Sequence, residues 1–152
     1  MQSGSPVKKR LSEMATVFFI TSFVILILAA NLVPVFTYVR DHGHMEESWV
    51  NLNLIGHATL QYEKDHLNTY PPTDSMDHLK LALTPYLPPQ SGTGVFLEPG
   101  IGVPYALNVS LSNKRVSSQG DPSHVVIARE IVPPWKGVLH ALYGDGSVKI
   151  LN

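Results

Sequence analysis

The chain has 152 residues, 44% hydrophobic and 15% charged, with a formal net charge of −1 and no cysteine. This balance offers no basic surface for nucleic acid. The absence of cysteine excludes disulfide staples, thiol nucleophiles and thiolate metal sites, without excluding an oxidising compartment.

Residues 1–13 form a basic tail carrying Lys8-Lys9-Arg10, and residues 14–39 follow as an apolar run with no charged side chain between Glu13 and Arg40. A helix over that run is about 39 Å long, more than the ~30 Å that a bilayer core requires. Every backbone polar group in such a helix is satisfied internally, so the segment is expected to span a membrane once. The basic tail is expected to stay cytoplasmic and residues 40–152 to form a head outside. A cleaved secretory signal is the competing reading. Leu28 is too bulky for the small-x-small site that Ala29-Ala30 would need, and the apolar character continues through Val33, Val35 and Phe36. Inside the span, Asn31 and Pro34 are the helix-packing candidates: an amide that can bond a neighbouring helix or reach the headgroups, and a proline that kinks the segment.

The head holds 7 Lys/Arg against 11 Asp/Glu, so an anionic partner is disfavoured there. Residues 49–67 read as a helix, with Ile55, Ala58 and Tyr62 as its apolar stripe and Glu63, Lys64 and Asp65 on a polar side. This helix continues the membrane helix with an interruption at Gly43, and Tyr70-Pro71-Pro72 stops it. A short second helix starts at Thr73 or Asp74, carries Met76, Leu79 and Leu83 inward, and ends before Pro85. Residues 105–111, 125–130, 138–143 and 147–151 read as strands, the last two joined by a Gly144-Asp145-Gly146 hairpin. Helices first and an antiparallel sheet after them make the fold class α+β.

Three passages carry a family resemblance. Asn51 to Ala58 with Ile55 and Gly56, then Tyr62 and Tyr70-Pro71-Pro72, resemble an Asn-Leu-Lys-Gln-Ile-Gly-x-Ala helix with an aromatic-Pro-Pro exit. Val103-Pro104-Tyr105 through Asn108 resembles a Tyr-x-x-Asn strand. Trp135 through Asp145-Gly146-Ser147 resembles a closing hairpin. In this order they resemble the bacterial prepilin-like proteins that end in a His-x9-Asp-Gly motif, related to type IV pilins and the pseudopilins of type II secretion. Trp135 stands where that group carries His. The group's processing site, Gly followed by Phe or Met with Glu five residues on, has no counterpart at Gly4, where Ser5 and Lys9 take those places. The resemblance implies a non-enzymatic structural subunit of a pilus or type II secretion-type assembly in the bacterial inner membrane, with its head in the periplasm. Its implied partners are other pilin-like subunits or secretion machinery, and it implies no cofactor. A solitary membrane-anchored binding module with the same fold is the alternative.

Chemical candidates are sparse. His42 and His44 with Glu46 and Glu47 form the best metal-like group, read as a solvated collar. His57, His66, His78, His124 and His140 lack any hydrolase signature around them. Asp145 reads as a turn residue, since one carboxylate falls far short of the roughly six to eight oxygens that calcium takes. Trp135 reads as an aromatic anchor at the sheet or the helix–sheet seam. Asn108-Val109-Ser110 fits a glycosylation pattern and reads as part of its strand.

Overall fold

A computed structural model describes residues 6–132 and 137–151. Trp135, and with it the expected aromatic anchor and the position of the motif His, lies outside the described residues. The fold is α+β: a long apolar N-terminal helix α1 (Pro6–Asp65), a short helix α2 (Met76–Leu83), and a four-stranded antiparallel sheet in the order β1-β2-β3-β4. The chain divides into two units, Met1–Arg40 and Asp41–Asn152.

In the first unit, every large hydrophobic side chain from Met14 to Val39 is at least 46% exposed. The core helix of a water-soluble domain would bury one face of such a stretch. Its best 18-residue window has a mean hydropathy of 2.4, so this is a helix long and apolar enough to cross a membrane. Three polar side chains within it turn back on their own helix. Thr21 Oγ1 donates to the Val17 carbonyl (2.8 Å), Asn31 Nδ2 to Ile27 (2.7 Å) and Thr37 Oγ1 to Pro34 (3.0 Å). Each therefore finds an internal acceptor, as a lipid environment requires. The helix continues through Pro34, whose missing N–H removes one helical bond.

In the second unit α1 runs on without the interruption expected at Gly43. A glycine in a helix costs only about 1 kcal/mol relative to alanine, and the helical bonds on either side outweigh that. The helix ends at Asp65, two residues earlier than expected and ahead of the Tyr-Pro-Pro segment. The Asn68 N–H reaches back to the Glu63 carbonyl (2.8 Å) while Leu67 and Asn68 adopt φ of 56° and 55°. This is a Schellman-type stop, usually built on glycine. Leu67 is 83% exposed, so its side chain brings no packing to offset the strain of a left-handed conformation. Leu67→Gly is expected to stabilise the head by about 1 kcal/mol, read as a higher urea midpoint with an unchanged slope.

Tyr70-Pro71 then plugs the core, and the Tyr70 N–H bonds the Lys114 carbonyl (2.9 Å). Ser75 caps α2 by accepting from the His78 N–H (3.2 Å), and Leu79 and Leu83 are fully buried. The strand expected at 105–111 shortens to β1 (Ala106–Leu107). Asn108 is the cause: its Oδ1 accepts from Ser110 N (3.3 Å) and caps a 3-10 turn (Val109–Leu111), while its Nδ2 donates to the Val126 carbonyl (3.0 Å). β2 (Val126–Arg129), β3 (Leu139–Tyr143) and β4 (Val148–Leu151) fall inside their expected ranges. Their register pairs Arg129 with Ala141 and Leu142 with Val148. The core joins Leu52 and Ile55 of α1 to Leu79, Phe96, Tyr105, Ile127 and Leu142.

Candidate functional site

The hairpin between β3 and β4 seats directly on α1. The Gly146 N–H bonds the Tyr143 carbonyl (2.9 Å), and Asp145 Oδ1 accepts from the Ser147 N–H (2.9 Å), so Asp145 shapes the turn. Burial acts to raise the Asp145 pKa, but the bonds from Ser147 and the charge of Lys149 bring it below the ordinary range. Gly146 has φ of 79°, open to glycine at no steric cost. A Cβ on Gly56 would stand 2.8 Å from the Gly146 carbonyl oxygen, and one on Gly146 would stand 2.6 Å from Leu60 Cδ1. Two passages ninety residues apart thus meet: the hairpin backbone and the Leu142 side chain leave no room for a Cβ on Gly56, and Gly146 is set by its positive φ and by the Leu60 side chain. A Cβ on Gly144 would collide with the Tyr70 hydroxyl, which brings the Tyr-Pro-Pro segment into the same seam.

This seam holds an unusual polar group. Glu63, expected on the polar side of the helix, is only 7% exposed. It lies one turn beyond Thr59 and two beyond Gly56, on the stripe that faces the hairpin. Thr59 Oγ1, Glu63 Oε1 and the Tyr70 hydroxyl are buried and have no hydrogen-bond partner among the described residues. Burial pushes the Glu63 carboxyl up to about 7. Burial, with the charges of Glu63 and Asp145, pushes the Tyr70 hydroxyl up to about 12.

A surface groove of about 450 Å³ lies at the Asp65 end of α1, lined by Tyr62, His66, Pro72, His78, Leu81 and Tyr86 among others. The Tyr62 and His66 rings stack with centroids 3.8 Å apart, and Tyr86 meets Tyr62 edge-on at 6.0 Å. The Tyr86 hydroxyl donates to Asp65 (3.0 Å). Of the family-motif positions, Tyr62 and Pro72 meet here, Gly56 and Gly146 meet at the seam, and Ile55, Pro71 and Tyr105 are core. Asn108 holds β1 to β2.

A second buried polar cluster was not legible in the sequence, because its members come from four separate segments. The Tyr105 hydroxyl meets Ser48 Oγ (3.1 Å), and burial pushes it up to about 12. Glu130 accepts from both the backbone N–H and the Nδ1 of His140, with both side chains at least 94% buried. Glu98 accepts from the backbone N–H groups of Ile131 and Val132. Burial raises its pKa, and those two bonds oppose the rise. These carboxylates fasten the start of the β2–β3 connection and His140, near the start of β3, to the core.

The other histidines do not form catalytic constellations. His124 Nδ1 faces both Asp121 (3.3 Å) and Ser123 Oγ (3.1 Å). A relay needs the serine and the carboxylate on opposite ring nitrogens, so this is a turn contact. His78 pairs with Asp74 on the surface (2.8 Å), and His57 is exposed. His42 and His44, two residues apart on a helix, point to roughly opposite sides. His42 faces Glu46 (3.6 Å), while the His44 ring lies against Gly100. Among the described residues no three His, Cys, Asp or Glu side chains are grouped to hold a metal ion.

No family model matches the chain, and no curated protein or solved structure matches it either.

Proposed function

We propose that this protein is a non-enzymatic structural subunit of the bacterial envelope, prepilin-like or pseudopilin-like, belonging to a pilus or a type II secretion-type assembly. Its apolar helix is inserted in the inner membrane, with the basic tail cytoplasmic and the head periplasmic. The observation that carries the reading is the seat of Gly146 on Gly56. The helix passage and the Asp-Gly passage on which the resemblance rests are the two that touch, where a Cβ on Gly56 would meet the hairpin backbone. The apolar helix offers an all-round hydrophobic surface for lateral packing in lipid or a filament core.

The chain has no native cysteine, so single cysteines report neighbours without background. Asn31→Cys and Val35→Cys, crosslinked in native membranes, are expected to yield adducts with pilin-like subunits. Strictly monomeric chains at both positions would contradict assembly.

The groove at Tyr62, His66 and Tyr86 favours a second reading: a solitary anchored module that captures a ligand or envelope protein through an aromatic-lined cleft. The residues at Gly4, Ser5 and Lys9 agree with a tail that stays attached. Mass spectrometry of the amino terminus separates the two: an intact Met1 supports the fixed anchor, and a trimmed, modified first residue supports the filament subunit.

A further inference from the structure

We propose that Glu63 works as a proton-operated latch on the seam: in its neutral form it lets the β3–β4 hairpin seat on α1, and loss of its proton lifts the hairpin tip while the rest of the head stays folded. The device depends on neither filament assembly nor ligand capture.

The hairpin tip, the Tyr70 segment and the loop at Pro122 converge on this stretch of α1. A Cβ on Gly146 would meet the Leu60 side chain, and one on Gly144 would meet the Tyr70 hydroxyl and stand 3.1 Å from the Pro122 carbonyl oxygen. Thr59 and Glu63 lie one helical turn apart on the same stripe. Thr59 is 1% exposed, Glu63 7% and Tyr70 0%. Thr59 Oγ1, Glu63 Oε1 and the Tyr70 hydroxyl are all buried without a hydrogen-bond partner among the described residues. Buried polar groups are nearly always bonded, so three orphaned atoms around one tertiary contact call for an explanation. A purely structural seam gains nothing from them, because each gives up its bonds to water with no replacement.

The charged groups around the seam supply no counterion. Glu63 makes no ion pair among the described residues. On the hairpin, Lys149 Nζ donates to the Ser123 carbonyl (2.9 Å) and lies 4.5 Å from the centre of the Tyr143 ring. Asp145, at the tip, would only repel a second negative charge. In the loop below Gly144, Asp121 faces His124 (3.3 Å). Lys114 and Arg115, in the segment bonded to Asn68 and Tyr70, are exposed. On α1 itself, Lys64 and His66 are exposed and Asp65 accepts from Tyr86. An ionised Glu63 must therefore find water, and a carboxylate kept from it is costly. Burial pushes the group up to about 7, which sets the change in the neutral range.

The hairpin tip is the piece free to move. Its Gly144 N–H bonds the Val125 carbonyl (2.8 Å), while the body of β3 is held separately, with its His140 carbonyl accepting from Glu130 N–H (3.0 Å). Lifting the tip breaks few bonds, hydrates all three orphaned atoms and uncovers Leu60 and Tyr70. Ionisation thus changes which apolar side chains the head presents.

Hydrogen exchange of the full-length chain in detergent micelles, corrected for the intrinsic rate, tests the latch at the Tyr143 and Gly144 amides, with Glu130 as the reference. Their opening is expected to rise about ten-fold from pH 6 to pH 8, as a carboxyl at 4.5 when exposed and about 7 when seated requires. It should also be insensitive to urea below the unfolding midpoint, whereas opening at Glu130 follows urea with the full slope. Glu63→Gln, and equally Glu63→Met, should remove the rise with pH. Opening at Tyr143 and Gly144 that follows urea as steeply as at Glu130 means that only the whole head opens, and overturns the latch. A local opening that does not change with pH, or that rises as steeply in the uncharged variants, overturns it as well.

Discussion

Gly146→Ala is expected to cost the head about 2–5 kcal/mol, a large share of the roughly 5–15 kcal/mol by which a domain is ordinarily stable. Two effects add. An alanine at φ of 79° takes on the left-handed penalty of about 1–2 kcal/mol. Its methyl also enters space held by Leu60 Cδ1, 2.6 Å away, and overpacking of this kind costs about 1–3 kcal/mol. Gly56→Ala is the informative companion. Helix propensity alone would make it stabilising by about 1 kcal/mol. The methyl, however, would stand 2.8 Å from a backbone oxygen of the hairpin, which cannot rotate away as a side chain can. Destabilisation by Gly56→Ala, measured by urea unfolding of the detergent-solubilised chain, shows the helix–hairpin seat to be real. A gain in stability would remove it.

Glu63→Gln is expected to flatten the pH dependence of stability and to stabilise the head at pH 8. The carboxyl titrates near 4.5 in the unfolded chain and at about 7 in the folded one, because burial disfavours its charged form. The folded state therefore holds the proton more tightly. This contribution is fully favourable below about pH 4.5, declines as pH rises toward 7, and is lost above it. A shift of that size corresponds to about 2–3 kcal/mol between pH 5 and 8. Burial raises the Glu98 carboxyl as well, so the quantity to measure is the difference between wild type and Glu63→Gln at each pH. That difference should grow with pH up to about 7 and then level off. A constant difference would mean that Glu63 is ionised and solvated in the folded head.

Together the two experiments probe one place, the seam where α1 receives the hairpin. Its glycines were legible in the sequence as turn and helix residues, but their contact was not. Ninety residues separate Gly56 from Gly146, and no periodicity encodes a tertiary approach between them. Periodicity did carry the elements themselves. The uncharged run at 14–39, the stripe of Met76, Leu79 and Leu83, and the Asp-Gly hairpin each have a local cause, and each forms where that cause predicts. Where the structure departs from the pattern, the causes are local too. Residue type assigns Glu63 to solvent, while its spacing from Thr59 and Gly56 places it on the buried stripe. The strand at 105–111 stops early because Asn108 satisfies backbone groups with its own side chain, a competition that β propensity does not register. Gly43 has the residue type of a break, yet one glycine does not end a helix whose flanking turns remain favourable. The clustering of Glu98, Glu130, His140 and Tyr105 depends on strand pairing and could not be read at all.

The approach of Gly146 to Gly56 packs the β3–β4 hairpin directly against α1. The buried carboxylates of Glu98 and Glu130 hold the connection after β2 in place through backbone N–H groups.

The measurement closest to the root of this account is the partitioning of the full-length product after gentle lysis. The hydrocarbon stretch from Met14 to Val39 should keep the chain in the membrane pellet through an alkaline carbonate wash and release it only with detergent. Recovery as a freely dissolved monomer without detergent would contradict the anchor and everything built on it.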